Sequence, residues 1–134
     1  MKTFALDADI ISYMLRGDTQ VLLRLHAEQD MGNEFGIPPM AYYEVKRGLL
    51  AVGSIIRLRL YEEICRDFSV GVMSTAAWDE AARLYARQRR RGRSLEDADL
   101  LIAAFCLVGG YILVTNNTKH FEMIDGLVCL NWKQ

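Results

Sequence analysis

The chain contains 134 residues, 51% of them hydrophobic, and carries a formal net charge of −1. This size and composition predict one domain, residues 1–134, that can bury a core of its own. The balanced charge excludes a global attraction to nucleic acid or anionic lipid, and the three widely spaced cysteines exclude a disulfide framework and favour a reducing cytoplasm.

Two aspartates stand between the first predicted strand, residues 2–6, and the first predicted helix, residues 10–15. We do not expect a secretory leader, because Asp7 and Asp9 interrupt the N-terminal apolar run. Open α/β sheets bind ligands at the carboxyl ends of their strands, so Asp7 is a candidate ligand-binding carboxylate. Capping of the helix is the alternative role, and because one cap is enough we assign it to Asp9.

Glu44 interrupts the apolar stripe of the third predicted helix. The pattern predicts helices over residues 19–31 and 39–52, with a strand at residues 35–37 between them. The stripe consists of Ala41, Val45, Gly48, Leu49 and Val52. A salt bridge within the helix could explain Glu44 on this stripe, but Lys46 and Arg47 point elsewhere. Glu44 is therefore a second candidate acid on a buried face.

Five arginines end the fifth predicted helix. A helix over residues 54–66 and a strand over residues 68–73 precede it, and Ser74 or Thr75 caps it. The arginine run comprises Arg87, Arg89, Arg90, Arg91 and Arg93. Positive charge stabilises a helix C-terminus through the macrodipole, which is one interpretation of the run. A patch that contacts phosphate groups is the other, and the sequence leaves both open.

Residues 94–117 are predicted to form a helix, a glycine stop and a strand. Ser94 and Asp97 have the spacing of a capping box, so the helix should begin near Leu95. Residues 100–114 contain no charge, which predicts a central helix and a strand at residues 111–115 covered on both faces. This run is too short to span a membrane. Asp99 then lies in a buried helix, where a carboxylate needs a partner or a metal.

The alternation of strands and helices, which ends with a strand at residues 127–130, predicts an α/β fold with a mainly parallel sheet. Asp7 and the end of the strand at residues 111–115 can then lie side by side at one edge. Acids gathered there have raised pKa values unless a divalent cation lies among them. Oxygen ligands suit Mg²⁺ or Mn²⁺, so Asp7, Glu44 and Asp99 indicate an acidic metal site for phosphoryl chemistry.

Four blocks of the sequence extend, in order, over nearly the whole chain: LDADIISYMLRG, MAYYEVKRGL, DADLLIAAFCLVGG and ILVTNNTKHFEMIDGL. Together they resemble a VapC-type toxin of the PIN-domain family. The resemblance implies a PIN-like three-layer α/β/α fold and a Mg²⁺- or Mn²⁺-dependent endoribonuclease. It implies the toxin of a type II toxin–antitoxin system, held inactive by a VapB-like antitoxin. Asp7, Glu44 and Asp99 match the family's acidic, catalytic metal-binding positions, and we expect a cytoplasmic homodimer that cleaves RNA and binds no membrane.

The chain departs from the family pattern at two positions. The usual Asn after the first acid is Asp9 here, and a position that often carries a fourth acid is Asn117, with Thr115 beside it. We interpret Asn117 as a polar ligand or a side chain that holds water. For Asp97 the capping box is a sufficient role, and a place behind the metal ligands is the alternative.

Two predicted helices carry more apolar residues than one internal face accommodates. We predict that they form a groove for an extended or helical antitoxin segment, whose basic end enters the acidic pocket. The residues expected to line this groove are Val21, Leu22 and Leu25 in one helix and Ile55, Ile56, Leu58 and Leu60 in the other.

Three other classes of protein match parts of this pattern. Asp7-Ala-Asp9 after a strand also suggests a haloacid-dehalogenase-like phosphatase, which needs a longer chain, a helix lysine and a later acid pair. A receiver domain needs an aspartate at the end of a central strand, which the predicted inner strands lack. A non-catalytic PIN-fold binding module keeps the fold only, and the intact set of acids argues against it.

Overall fold

A four-stranded sheet runs through the protein, with seven helices around it in the computed structural model, which describes residues 1–133. The elements in chain order are β1 (Thr3–Leu6), α1 (Ala8–Leu15), α2 (Thr19–Asp30), β2 (Glu34–Gly36), α3 (Pro39–Val52), α4 (Ile55–Phe68), α5 (Thr75–Arg90), α6 (Asp97–Gly109), β3 (Ile112–Val114), α7 (Thr118–Phe121) and β4 (Cys129–Leu130). The predicted order of strands and helices is confirmed, apart from one strand.

The sheet is parallel throughout, with the strand order β2-β1-β3-β4. Phe4 pairs with Ile112 and Leu6 pairs with Val114, so β1 and β3 end side by side. Phe4, Ala5 and Leu6 are all buried, although successive side chains of a strand point to opposite faces. Both faces of the sheet are therefore covered, which confirms the predicted three-layer α/β/α architecture.

Helix α6 is buried almost all round, as the sequence predicted. Leu100 and residues 102–106 are buried, and α5 packs along the helix. Gly110 ends α6 in the left-handed conformation, with a φ of 72° that glycine adopts without strain. No helix within residues 1–133 is long and apolar enough to cross a membrane.

The predicted strand at residues 68–73 is wrong. Phe68 still belongs to α4, and the segment pairs with the sheet only through a single parallel bridge between Val70 and Ile37. A Cβ atom on Gly71 would lie 2.3 Å from the ring of Phe105, so the backbone passes directly against α6. The segment therefore crosses the end of the sheet without continuing it.

The predicted capping box at the start of α6 is also wrong. The helix begins at Asp97 and not near Leu95, and its N-cap is Glu96, which makes no side-chain cap bond. Leu95 is half-buried and packs against the core. Packing of this apolar side chain, and not a hydrogen bond from Ser94, fixes the entry into the helix.

The α2 half of the predicted antitoxin groove is wrong as well. Val21 is fully buried and Leu25 is 4% exposed, while Leu22 packs against the same core. The apolar face of α2 packs against α1 and the core, so it is not available to a partner protein.

On α4, in contrast, the predicted residues do lie at the surface. Ile55 is 64% exposed, Ile56 is 83% exposed and Leu60 is 41% exposed. Leu58 is half-buried, and Tyr61 is the fully buried residue through which the helix contacts the core. The apolar residues on α4 therefore exceed what the core accommodates, as predicted for this helix.

The apolar stripe of α3 is shorter than predicted. Ala41 and Val45 are buried, whereas Gly48 is exposed and Val52 is 81% exposed. Leu49 is half-buried and packs against the core, so only the end of α3 extends beyond it. Glu44 lies in the half that does pack and is half-buried.

Candidate active site

Asp7 lies where β1 passes into α1. Its backbone N–H donates to the carbonyl of Val114 at 3.0 Å, which continues the hydrogen bonding of the sheet. One carboxylate oxygen accepts from the backbone N–H of Ala8 at 2.8 Å, and the other accepts from the hydroxyl of Thr115 at 2.8 Å. The capping role predicted for Asp9 is therefore wrong: Asp7 is the N-cap, because the sheet holds it at the start of α1.

Burial raises the pKa of Asp7, which is 7% exposed. The hydrogen bonds from Thr115 and Ala8 oppose this rise, because they stabilise the charged form, and the charge of Asp99 adds to it. Asp7 is thus a buried carboxylate whose two oxygens are both held in place.

Glu44 and Asp99 lie on α3 and α6, which pack against each other. Burial raises the pKa of Glu44, and the charge of Asp7 raises it further, while Arg47 opposes the rise and Asp99 adds to it. Burial also raises the pKa of Asp99, which the nearby His120 opposes. The structure therefore brings the three predicted acids into one electrostatic neighbourhood, and their catalytic and metal-binding roles stay predictions.

The three carboxylates do not form a closed ligand shell. Within residues 1–133, no group of three or more His, Cys, Asp or Glu side chains is arranged to hold a metal ion. Glu44 makes no ion pair in this part of the chain. One oxygen of Asp99 lies 3.4 Å from Nδ1 of His120.

The loop after β3 closes one side of the site. The backbone N–H of Asn116 donates to Asp9 at 3.0 Å, and that of Asn117 donates to the Thr115 hydroxyl at 3.1 Å. The second carboxylate oxygen of Asp9 is buried without a partner among the described residues. Burial raises the pKa of Asp9 to about 6, and the charge of Asp7 contributes. Thr115 therefore contacts Asp7 directly. The loop after it is fixed by two backbone hydrogen bonds, from Asn116 to Asp9 and from Asn117 to Thr115.

Two residues near the acids were missed by the sequence analysis. His120 contacts Asp99 because α7 packs on α6, and no local pattern in the sequence indicated this contact. The charge of Glu96 raises the pKa values of Glu44 and Asp99. Asp97 differs from both, since it raises the pKa of none of the three acids and lines a cleft beside α5.

Some arginines of the run form ion pairs with carboxylates of the protein and others do not. Arg87 pairs with Glu80 at 2.8 Å, and Arg91 pairs with Asp125 at 3.3 Å. Within residues 1–133 no carboxylate pairs with the other three members, Arg89, Arg90 and Arg93. The run ends α5, as predicted, but only part of its charge is uncompensated.

Comparisons with known proteins agree with this architecture. The family model of the PIN domain matches residues 4–127. The Ribonuclease VapC1 of Methanocaldococcus jannaschii is 40% identical over 43 residues, which are 32% of this chain and 32% of that protein. The tRNA(fMet)-specific endonuclease VapC of Shigella flexneri is 37% identical over 57 residues, which are 42% of this chain and 43% of that protein. The matches thus span less than half the length of these curated relatives.

A solved structure shares the fold over its full length. A chain in the crystal structure of VapBC2 from Rickettsia felis, bound to a DNA fragment from their promoter, superimposes with a TM-score of 0.89. The identity is 20%, and the superposition covers 97% of this chain and 98% of that chain. Since the family model covers most of the sequence and the fold agrees, this chain belongs to the PIN domain family, within which it is similar to VapC-type proteins.

Proposed function

We propose that this protein is a metal-dependent endoribonuclease and the toxin of a type II toxin–antitoxin pair in the cytoplasm. The observation that carries the proposal is the grouping of acids at the end of β1. The charges of Asp7 and Asp99 raise the pKa of Glu44, and the charge of Asp99 also raises that of Asp7. Such a group is stable in its charged form when a cation compensates it. The names of the two curated relatives, a ribonuclease and a tRNA-specific endonuclease, support RNA as the substrate.

The residues present have the donor chemistry of a site for Mg²⁺ or Mn²⁺. The donors that they offer are oxygens, which these hard cations prefer. The buried oxygen of Asp9 that has no partner is a further acceptor close to Asp7. The acids are within electrostatic reach of each other, but no three of them surround one point within residues 1–133, so binding requires their side chains to move closer together. A bound ion would lower the pKa of a water molecule and neutralise charge on the phosphodiester.

The protein itself contributes orientation. Thr115 and Ala8 fix both oxygens of Asp7, so this carboxylate keeps one position while the other two acids adjust. Asn117 is exposed on the adjoining loop and offers an amide that can hold a water molecule. Attack of water on phosphorus would leave a 5′-phosphate on the product.

The partner that we propose for the exposed face of α4 is a VapB-like antitoxin. Ile55, Ile56 and Leu60 lie together there, next to Val52 at the end of α3, and all four are exposed. A contiguous apolar surface of this kind is typical of a protein interface. The matched Rickettsia felis structure is of VapBC2, which supports a partner of this type.

We expect Ile56→Asp and Leu60→Asp to abolish binding of the cognate antitoxin without unfolding the toxin, because both side chains are exposed. Glu63→Gln, on the same helix, is the control and should leave binding unchanged. Co-purification and thermal unfolding measure the two properties. Intact complexes with both aspartate variants would place the antitoxin on another surface.

A second copy of the chain is the occupant that we propose for the surface between α3, α5 and α6. Two clefts of about 330 Å³ and 320 Å³ adjoin there and share Trp78 and Leu101. Tyr43, Trp78 and Tyr85 are 55%, 52% and 49% exposed, and aromatic residues are enriched at interfaces. A homodimer would cover them, and sedimentation of the wild type and of Trp78→Ser tests it. An unchanged dimer in Trp78→Ser would contradict this assignment.

The nuclease proposal is tested by comparing Asp99→Asn with Asp97→Asn. Both substitutions remove one negative charge from the first turn of α6, but Asp97 is exposed and contributes to the pKa of none of the three acids. We expect Asp99→Asn to abolish RNA cleavage with Mg²⁺ and Asp97→Asn to retain it, and EDTA to stop the wild type. Equal cleavage by wild type and Asp99→Asn would reject the proposed acidic site. Hydrolysis of a small phosphate ester without RNA cleavage would favour the haloacid-dehalogenase-like phosphatase instead.

A further inference from the structure

A small cavity lies at the C-terminal end of α5, beside the arginine run. It measures about 50 Å³, and its polar lining consists of Gln88, Arg89, Arg93 and Ser94. A single water molecule needs at least about 10–15 Å³. The cavity exceeds this minimum several-fold, so it has room for a small polar group such as part of a phosphate.

Gln88 is the least expected member of this lining. It is 3% exposed, and its side-chain oxygen is buried without a hydrogen-bond partner among residues 1–133. Buried amides are normally paired, so an unpaired one that lines a cavity indicates a missing ligand. A half-turn about the last side-chain bond exchanges the oxygen for the NH₂ group, so this position can also donate.

Arg89 and Arg93 supply the charge of the cavity. Neither pairs with a carboxylate within residues 1–133, in contrast to Arg87 and Arg91. The guanidinium of Arg89 lies 5.8 Å from the centre of the Tyr85 ring, which leaves its N–H donors free. The run thus contains two arginines that neutralise acids of the protein and two that line a cavity whose other walls include Tyr85, Leu95 and Leu100.

We propose that this cavity binds one phosphodiester group of a single-stranded RNA. Arg89 and Arg93 donate to its non-bridging oxygens, and Ser94 and the amide of Gln88 complete the set of donors. A nucleobase is too large for the cavity, so the site positions the backbone and reads no sequence. Leu100 lines the cavity and directly follows Asp99, which places the bound group beside the first turns of α6. The choice of RNA rests on the proposed function.

The experiment measures RNA binding separately from cleavage. The parent protein carries Asp99→Asn, so the probe, a fluorescein-labelled single-stranded RNA, stays intact. Into this parent are introduced Arg89→Gln, Arg93→Gln and the charge-neutral Gln88→Leu. The controls are Arg90→Gln, which removes an unpaired charge outside the cavity, and Arg91→Gln, whose partner is Asp125. Fluorescence anisotropy over a range of KCl concentrations gives affinity and salt dependence.

We expect Arg89→Gln and Arg93→Gln each to weaken binding about tenfold and to flatten the plot of log affinity against log salt by about 0.7, the value of one phosphate contact with a single strand. Gln88→Leu should weaken binding too, although it removes no charge and keeps about the same side-chain volume, because leucine offers no N–H to the phosphate. Single-stranded DNA of the same sequence should lose affinity by the same factors. The control variants should stay within about twofold of the parent.

Three results would overturn the inference. The first is an absence of RNA binding by the parent, and the second is an effect of Arg90→Gln or Arg91→Gln as large as that of Arg93→Gln. The third is an affinity for RNA that Gln88→Leu leaves unchanged while its melting temperature shows a folded protein. If Gln88→Leu does not fold, the exposed arginine variants alone decide. A wild type that cleaves no RNA would reject the nuclease proposal and not this site, because binding is measured in a parent that needs no activity.

Discussion

Asp7 and Glu44 lie in the same electrostatic neighbourhood but are held in opposite ways. Asp7 is 7% exposed, follows a strand, and has both oxygens hydrogen-bonded to its surroundings. Glu44 is half-buried in a helix and has no ion pair within residues 1–133. The charge of Asp7 nevertheless reaches Glu44 and raises its pKa.

This difference separates two tasks that one acidic site has to perform. A carboxylate fixed by the sheet defines where a cation is placed, and a carboxylate on a helix face can turn to accept it. Function should therefore depend on both residues, whereas folding should depend mainly on the contacts of Asp7. The predictions that follow test that division.

The largest expected effect is on catalysis and is the same for both residues. We expect Asp7→Asn and Glu44→Gln each to lower the rate of RNA cleavage by more than about 100-fold, the upper end for residues that only support a metal ligand. Both should also abolish any rise in melting temperature that Mg²⁺ gives the wild type, because the ion stabilises only the folded state that binds it. Calorimetric titration with Mg²⁺ checks the cause, and a Glu44→Gln protein that binds Mg²⁺ like wild type would remove Glu44 from the site.

The second effect separates the two residues. Thr115→Val keeps the shape of a fully buried side chain but leaves an oxygen of Asp7 and the N–H of Asn117 without their partner. We expect a loss of about 1–3 kcal/mol in the free energy of unfolding. Glu44→Gln should change it by less than about 0.5 kcal/mol. Urea unfolding in EDTA measures both, and equal losses would show that Glu44 is as firmly held as Asp7.

The smallest effect concerns Asp9 and depends on pH. Its pKa in the folded protein is about 6, above the ordinary value of 3.8. Between these two pH values the folded state therefore binds a proton at Asp9 that the unfolded state has released. The resulting stabilisation is fully present below about pH 4 and is lost as the pH rises through about 6. Asp9→Asn should therefore be more stable than wild type near pH 7, and the difference should shrink as the pH falls from 6 to 4. A constant difference across that range, measured without metal, would contradict the prediction.

Much of the fold could be predicted because hydrophobic patterns report burial directly. The uncharged run at residues 100–114 predicted the central helix and its strand, and Gly110 does end that helix. The strand predicted at residues 68–73 failed because a short apolar segment has the same pattern whether it pairs along a sheet or meets it at one residue. Only one bridge forms there, between Ile37 and Val70.

The surroundings of the site were less predictable than its acids. Residues at strand ends and on buried faces can be recognised from local sequence, as with Asp7 and Glu44. The contact of His120 with Asp99 joins two helices that are separated by β3, and no local pattern encodes it. The apolar residues of α2 and α4 look alike in sequence, yet Val21 and Leu25 are covered while Ile55 and Ile56 are exposed. Both helices contact α1, and the local pattern does not show which residues of each helix meet the core.

The register between β1 and β3 has a consequence for synthesis of the protein. Thr115 and Asp7, which share a hydrogen bond, are separated by 108 residues. A ribosome adds about 5–20 residues per second, so the first acid waits about 5–20 s before its partner is made. During that interval β1 has no β3 beside it and Asp99 is not yet in place, so the acidic edge cannot exist on a partial chain. A chain that ends before β3 therefore cannot form this hydrogen bond, and the acidic edge is completed only after Thr115 has been translated.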